Sequence, residues 1–226
     1  MTGATSKDRA PGGLLAGWAT WLVRLGFHLL YNQLAWAYDG VAWLVSRGEW
    51  RAWGRAALPH LRGPRVLDLG HGPGHLLAAL SGAGFQATGI DRSGAMGGLA
   101  QRRLLQRGQA APLVRGAAEE LPFPAGAFQS VVATFPSETI LTTTALSEAR
   151  RVLEPAGVLV IVPVACLRGE SLIDRGLEWA YRITGRRGDE AERVEEWLAA
   201  AGFRATVDWV ERPGSRVMVI TARPTT

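Results

Sequence analysis

The 226-residue chain contains a single cysteine, Cys166, and a single lysine, Lys7. One thiol excludes an internal disulfide framework and any zinc site built on cysteines, and no metal is expected. Cys166 lies in an apolar, strand-like run and is expected as a small core residue. The chain also lacks an uninterrupted apolar stretch of membrane-spanning length. Leu14 to Leu30 comes nearest, but Thr20, Arg24 and His28 interrupt it, and it falls short of the roughly 20 residues a span requires. Arg24 and the distance to Ala35-Trp36-Ala37 disfavour a cleaved secretory leader. Runs of like charge are missing too. The net charge is +5 and the isoelectric point about 10.3, yet the arginines are scattered, the largest knots being pairs such as Arg102-Arg103 and Arg186-Arg187. Scattered arginines read as solvated helix faces, so no nucleic-acid partner is expected.

Tryptophan, by contrast, is abundant: nine residues, most of them before position 54. Residues 1–13 are Gly/Pro-containing and polar and read as a disordered tail. Residues 14–58 read as a helical extension. Trp18, Trp21, Leu22, Leu25, Leu29 and Leu30 share one broad face, and the chain is expected to continue as helix over residues 31–58. Such an extension suits three roles: a lid over a site, completion of the core, or a membrane-surface contact through residues 14–45. Residues 59–226 are long enough for one domain of ordinary size, expected to be cytoplasmic.

That domain opens on Val66-Leu67-Asp68-Leu69, followed by Gly70, Gly72 and Gly74 at alternate positions and then Leu76, Leu77 and Leu80 at helical spacing. The pattern is strand, tight glycine loop, helix, the first unit of a doubly wound α/β sheet. Residues without Cβ let the backbone adopt positive φ and let a ligand lie against the main chain, while the helix N-terminus presents free N–H groups. A dinucleotide loop reads G-x-G-x-x-G or G-x-G-x-x-A; counted from Gly70 and Gly72, the place of that last small residue is held by His75. A second strand, Phe85 to Asp91, ends in a carboxylate, the kind of group that accepts from a ribose diol. Asp91-Arg92-Ser93 also reads as a helix N-cap cluster, so capping stands as the alternative role for Asp91.

The loop resembles the first motif, V-L-D-L-G-x-G-x-G, of the class I S-adenosylmethionine-dependent methyltransferases. Two further stretches resemble the UbiE-like subgroup: residues 116–132, opening Gly116-Ala117-Ala118-Glu119-Glu120-Leu121-Pro122-Phe123-Pro124, and residues 145–161, with Leu146-Ser147-Glu148-Ala149-Arg150-Arg151-Val152-Leu153. The resemblance covers residues 60–222. It implies a Rossmann-like, seven-stranded, mostly parallel sheet closed by a C-terminal antiparallel hairpin, with Pro213-Gly214-Ser215 as its turn. It implies S-adenosyl-L-methionine as cofactor. The residues it assigns to the cofactor are Tyr38, Asp68, Gly70, His71, Gly72, Gly74, Asp91, Arg92, Met96, Ala117, Ala118, Glu119, Thr134 and Phe135. Met96 is placed near the adenine, with ordinary core packing as its other reading. Two of the subgroup's aspartates are replaced, by Ala117 and Gln129. The first change removes a side-chain acceptor for the adenine amino group; the second position commonly supports structure.

The implied reaction is in-line methyl transfer to a small apolar acceptor, lipid-like or quinone-like, catalysed mainly by positioning. No pair of residues compels a general base. His71 and His75 qualify by type only, and His28 and Glu138 less so. His71 also reads as a residue tolerated at a surface loop position. Two other functions stay open: a cofactor-binding module without turnover, and a nicotinamide-dependent oxidoreductase on the same sheet.

Overall fold

The computed structural model describes residues 40, 43, 44, 46–137, 139–167 and 189–225. Helical residues before the domain end at Ser46. There Arg47 and Gly48 take positive φ, and the Gly48 N–H donates to the Trp43 carbonyl at 2.9 Å, a left-handed helix terminus. The extension is therefore not one continuous helix. Ser46 Oγ accepts from the Trp50 N–H at 3.0 Å, and a new short helix, α1 (Trp50–Gly54), runs into a 3-10 turn over Arg55–His60.

The chain then alternates strand and helix: β1 (Arg65–Leu69), α2 (His75–Gly82), β2 (Gln86–Asp91), α3 (Gly94–Leu105), β3 (Leu113–Arg115), β4 (Phe128–Thr134), α4 (Thr143–Val152) and β5 (Leu153–Val162). It closes with β6 (Ala165–Leu167), α5 (Asp189–Ala200), β7 (Phe203–Arg212) and β8 (Ser215–Pro224). Pairing runs β3-β2-β1-β4-β5-β8, parallel as far as β5, with β8 antiparallel to both β5 and β7. The short β6 lies beside β8 on the same edge as β5, so eight strands fill seven positions across the sheet. Pro213-Gly214 forms a two-residue hairpin loop, because Arg212 already faces Ser215 in register. Cys166 sits on β6 opposite Arg216 and is only half-buried, so it is an edge residue rather than a core one.

Two apolar layers sandwich the sheet. On one face Leu76, Leu77 and Leu80 of α2 pack with Val66, Val132, Val158 and Val160. On the other, Ala145, Leu146, Ala149 and Val152 of α4 and Leu198 of α5 cover Leu67, Val131, Leu159 and Ile161. Strands apolar on both faces are what a covered parallel sheet requires. The end of the extension belongs to the first layer. Trp53, Ala56 and Ala57 are buried there, and Trp53 Nε1 donates to the buried Ser215 Oγ at 3.0 Å.

Candidate functional site

Strand order reverses between β1 and β4, and the loops leaving those two strands meet there. A Cβ on Gly70 would fall 2.4 Å from Ile140 Cδ1. Doubly wound sheets bind ligands at this switch point, outside the carboxyl ends of the strands. Gly70, Gly72 and Gly74 all have positive φ, at 75°, 52° and 78°. Each glycine answers a different constraint. Gly74 is pressed against α3, where an added Cβ would meet the Ala100 backbone at 2.8 Å. Gly72 has nothing within 4 Å of that position, so its missing side chain leaves the loop backbone open to an approaching group.

Asp91 ties this loop to β2. One carboxylate oxygen accepts from the Gly72 N–H at 2.8 Å, and the other accepts from the Ser93 N–H at 2.8 Å. Each oxygen keeps lone-pair capacity for a further donor. Ser93, not Asp91, caps α3, its Oγ accepting from the Met96 N–H at 3.3 Å. Asp91, His71, Ser93 and Arg115 share the lining of a cavity of about 450 Å³ that runs between α3 and β3.

Asp68 is 1% exposed, and neither of its carboxylate oxygens has a hydrogen-bond partner. Burial, reinforced by repulsion from the Asp91 carboxylate, pushes its pKa up to about 8. His71 is buried rather than tolerated on the surface. Its imidazole packs where a side chain on Gly89 would otherwise stand, and its Nδ1 lies 2.6 Å from the Gly72 carbonyl. That carbonyl can only accept, so Nδ1 carries the proton. Burial holds the His71 pKa below the usual imidazole range, against the pull of Asp91 and two backbone hydrogen bonds. The ring is thus a neutral wedge beneath the loop.

Beside Asp91, the exits of β2 and β3 run together, since Asp91 is in register with Arg115 and the Gly116 N–H donates to the Asp91 carbonyl. Arg92 reaches across to Glu119, Nη1 to Oε1 at 3.9 Å. Ala118 is buried and Ala117 half-buried on the same exit. Met96 is fully buried. On the far side of the switch point, Thr134 and Phe135 leave β4. Phe135 has φ of 49°, a conformation that costs a bulky residue roughly 1–3 kcal/mol. Its N–H donates to the Val162 carbonyl at 2.7 Å, and its ring stacks on Trp50 at 4.1 Å between centroids. Thr134, Phe135, Trp50, Arg51 and His75 surround a small hollow. Tyr38, His28 and Glu138 lie outside the described residues. Among the described residues no group of His, Cys, Asp and Glu could hold a metal.

Gln129 is a structural latch. Its Oε1 accepts from the Arg65 N–H at 2.9 Å, and its Nε2 donates to Glu154 at 2.7 Å, joining β1, β4 and β5. Sequence reasoning had no signal for the Trp50–Phe135 stack. Tryptophan density in the extension hinted at an apolar surface but not at its partner.

The chain is similar to known proteins in both sequence and fold. Residues 66–157 match the family model described as a methyltransferase domain. A demethylmenaquinone methyltransferase of Clavibacter sepedonicus is 32% identical over 198 residues, covering 77% of this chain and 80% of that protein. A ubiquinone/menaquinone biosynthesis C-methyltransferase UbiE of Rhizobium johnstonii is 33% identical over 144 residues, 59% of this chain and 56% of that protein, so the match spans little more than half of that relative. Among solved structures, a Haemonchus contortus phosphoethanolamine N-methyltransferase, in complex with phosphomonomethylethanolamine and S-adenosylhomocysteine, superposes with a TM-score of 0.56 at 18% identity. It covers 79% of this chain and 53% of that one, a likeness of fold alone.

Proposed function

The chain belongs to the UbiE-like class I S-adenosylmethionine-dependent methyltransferases, and from that premise we propose that it methylates a small apolar, quinone-like acceptor held beside the Phe135 loop. It is an enzyme, and its cofactor is S-adenosyl-L-methionine.

The residues at the switch point fit that cofactor. Gly72 opens the loop backbone, Asp91 is oriented by two backbone N–H donors yet retains acceptor capacity, and Asp68 is a buried carboxyl group without a donor. When bound, the cofactor supplies a methyl group on a cationic sulfur that departs as a neutral thioether. The Asp91 carboxylate accepts from the ribose hydroxyls, and the Gly70–Gly74 backbone receives the chain that joins the sugar to the amino acid end. Asp68 offers its carboxyl oxygens to a cationic donor. Ala117 and Ala118 present backbone groups at the base edge, flanked by Arg92 and Glu119. Met96, buried in the first turn of α3, is the apolar residue that the resemblance adds to this side of the site. Because the leaving group is neutral, no acid is needed there. The protein's contribution is alignment of acceptor and methyl group and exclusion of water.

The observation that carries the acceptor assignment is the aromatic wall of Trp50 and Phe135 at the exit of β4. A flat, apolar ring system is the ligand such a wall suits. Trp43 and Leu44, 64% and 72% exposed, extend the apolar character to the outside, next to Arg47. They support a peripheral contact of residues 14–45 with the cytoplasmic membrane surface, where apolar quinones reside. No helix among the described residues is long and apolar enough to cross a membrane.

The test is methyl incorporation from labelled S-adenosylmethionine into a prenylated 1,4-naphthoquinol, with phosphoethanolamine as the polar comparison. Label is expected in the organic phase with the quinol only. Asp91→Ala should weaken cofactor binding by about ten- to hundredfold in calorimetry. Cofactor binding without transfer to any quinol would instead support a binding module.

A further inference from the structure

The loop after β3 carries a buried oxygen with nothing to bind. Glu119 Oε2 is shielded from solvent and has no hydrogen-bond partner, while Oε1 lies 3.9 Å from Arg92 Nη1, beyond hydrogen-bonding distance. A buried carboxylate oxygen without a donor is costly to keep, so the position invites an N–H or O–H from elsewhere. Two residues earlier stands Ala117, whose side chain can accept nothing. The strand register fixes where this happens. Asp91 and Arg115 are paired neighbours, so Arg92 and residues 116–119 leave the sheet side by side, next to the carboxylate that faces the ribose. A base attached to a ribose held by Asp91 would reach toward these two exits. Adenine presents its exocyclic amino group as a hydrogen-bond donor, whereas hypoxanthine presents an acceptor at the same position.

We propose that Glu119 accepts the hydrogen bond of the adenine amino group, substituting for the side-chain acceptor missing at Ala117, with Arg92 as the clasp that holds its carboxylate over the base. The inference rests on the cofactor-site reading above. It makes Glu119 the residue that selects the adenine base, and it accounts for the lost acidic side chain without loss of the cofactor. Arg92 is a positioning residue. It is largely exposed, and its guanidinium, 3.9 Å from Glu119 Oε1, holds that carboxylate by charge rather than contributing a contact to the base.

The discriminating experiment measures calorimetric affinity for S-adenosylhomocysteine and S-inosylhomocysteine, which differ at the amino position. The wild-type protein should prefer the adenosyl compound. Glu119→Ala should lower that preference by about ten- to hundredfold, mostly through weaker adenosyl binding, with inosyl binding nearly unchanged. Glu119→Gln, whose amide both accepts and donates, should bind the two compounds about equally and serves as the folded control if the alanine variant is unstable. Arg92→Ala should lower the preference less than Glu119→Ala. If Glu119→Ala keeps the wild-type preference, or weakens both compounds alike, Glu119 does not read the base. If the wild-type protein binds neither compound, the cofactor-site reading falls first and takes this inference with it.

Discussion

Asp68 shows how a single buried group ties pH to folding. An unfolded aspartate has lost its proton above about pH 4, while in the folded protein burial and the nearby Asp91 keep Asp68 protonated up to about 8. Between those values the folded state binds the extra proton. Stability is therefore full at the acid end of the window and declines as pH rises, by up to about 1.4 kcal/mol per unit, until it levels off above about pH 8. Asp68→Asn should remove this slope and raise the stability of the cofactor-free protein at neutral pH. Urea titrations at several pH values across the window measure it, and equal slopes in the two proteins would show that Asp68 is not the titrating group. The same variant should also bind the cofactor more weakly, because the Asp68 carboxyl can give up its proton and take a charge when a cation arrives beside it, which an amide cannot. His71 adds no compensating slope above neutral pH, since burial already holds its ring neutral there.

Helix α4 fixes the loop between β3 and β4 at Leu121 and Phe123. Thr142 caps it, its Oγ1 accepting from the Ala145 N–H at 3.2 Å, and its last turn presents Glu148 and Arg151 one above the other. Glu148 accepts from the Leu121 N–H at 2.9 Å. Arg151 donates to the carbonyls of Leu121 and Phe123, each at 2.8 Å, and pairs with Glu148 at 2.7 Å. The hydrogen bonds from Arg151 hold the Glu148 carboxyl below the usual range. A lowered pKa places this contribution above the unfolded value, and it is lost as pH falls below that. Glu148→Ala should cost about 1–3 kcal/mol and loosen residues 121–124, read as faster amide exchange there. Unaltered exchange at Leu121 would show that the loop is held by its own packing, for which the edge-to-face contact of Phe123 on Phe128 at 5.1 Å is the candidate. The spacing of Glu148 and Arg151 was visible in the chain, but its target, a turn some 27 residues earlier in sequence, was not.

At the scale of the whole molecule, the extension and the sheet are one structure by residue 53. Trp53 and Ser215 are 162 positions apart and hydrogen-bonded in the core. What precedes them presents Trp43 and Leu44 outward. If residues 14–45 meet a membrane, the full chain should sediment with anionic phospholipid vesicles. Trp43→Ala combined with Leu44→Ala should then weaken binding at least about tenfold, given roughly 1.5–3 kcal/mol for each large apolar side chain buried. Sedimentation unaffected by the double substitution would assign those side chains to another surface. The alternation of strand and helix, the glycine loop and the carboxylate at the end of β2 were readable in the chain because each depends on neighbours in sequence: alternation along strands, φ at a turn, the distance from one strand end to the next. Strand boundaries such as Ser215, and the break at Arg47-Gly48, were not, because hydrogen bonds to other elements set them. The amino-acid sequence by itself determined a doubly wound sheet with a tight glycine turn at its first crossover. Only the tertiary structure decided that Asp68 is a carboxyl group without a donor, that Phe135 is held in a strained backbone under Trp50, and that Glu119 has an oxygen to offer. Each of these depends on what packs around the residue across the sheet, and desolvation and contact are properties of the assembled fold rather than of any local stretch of chain.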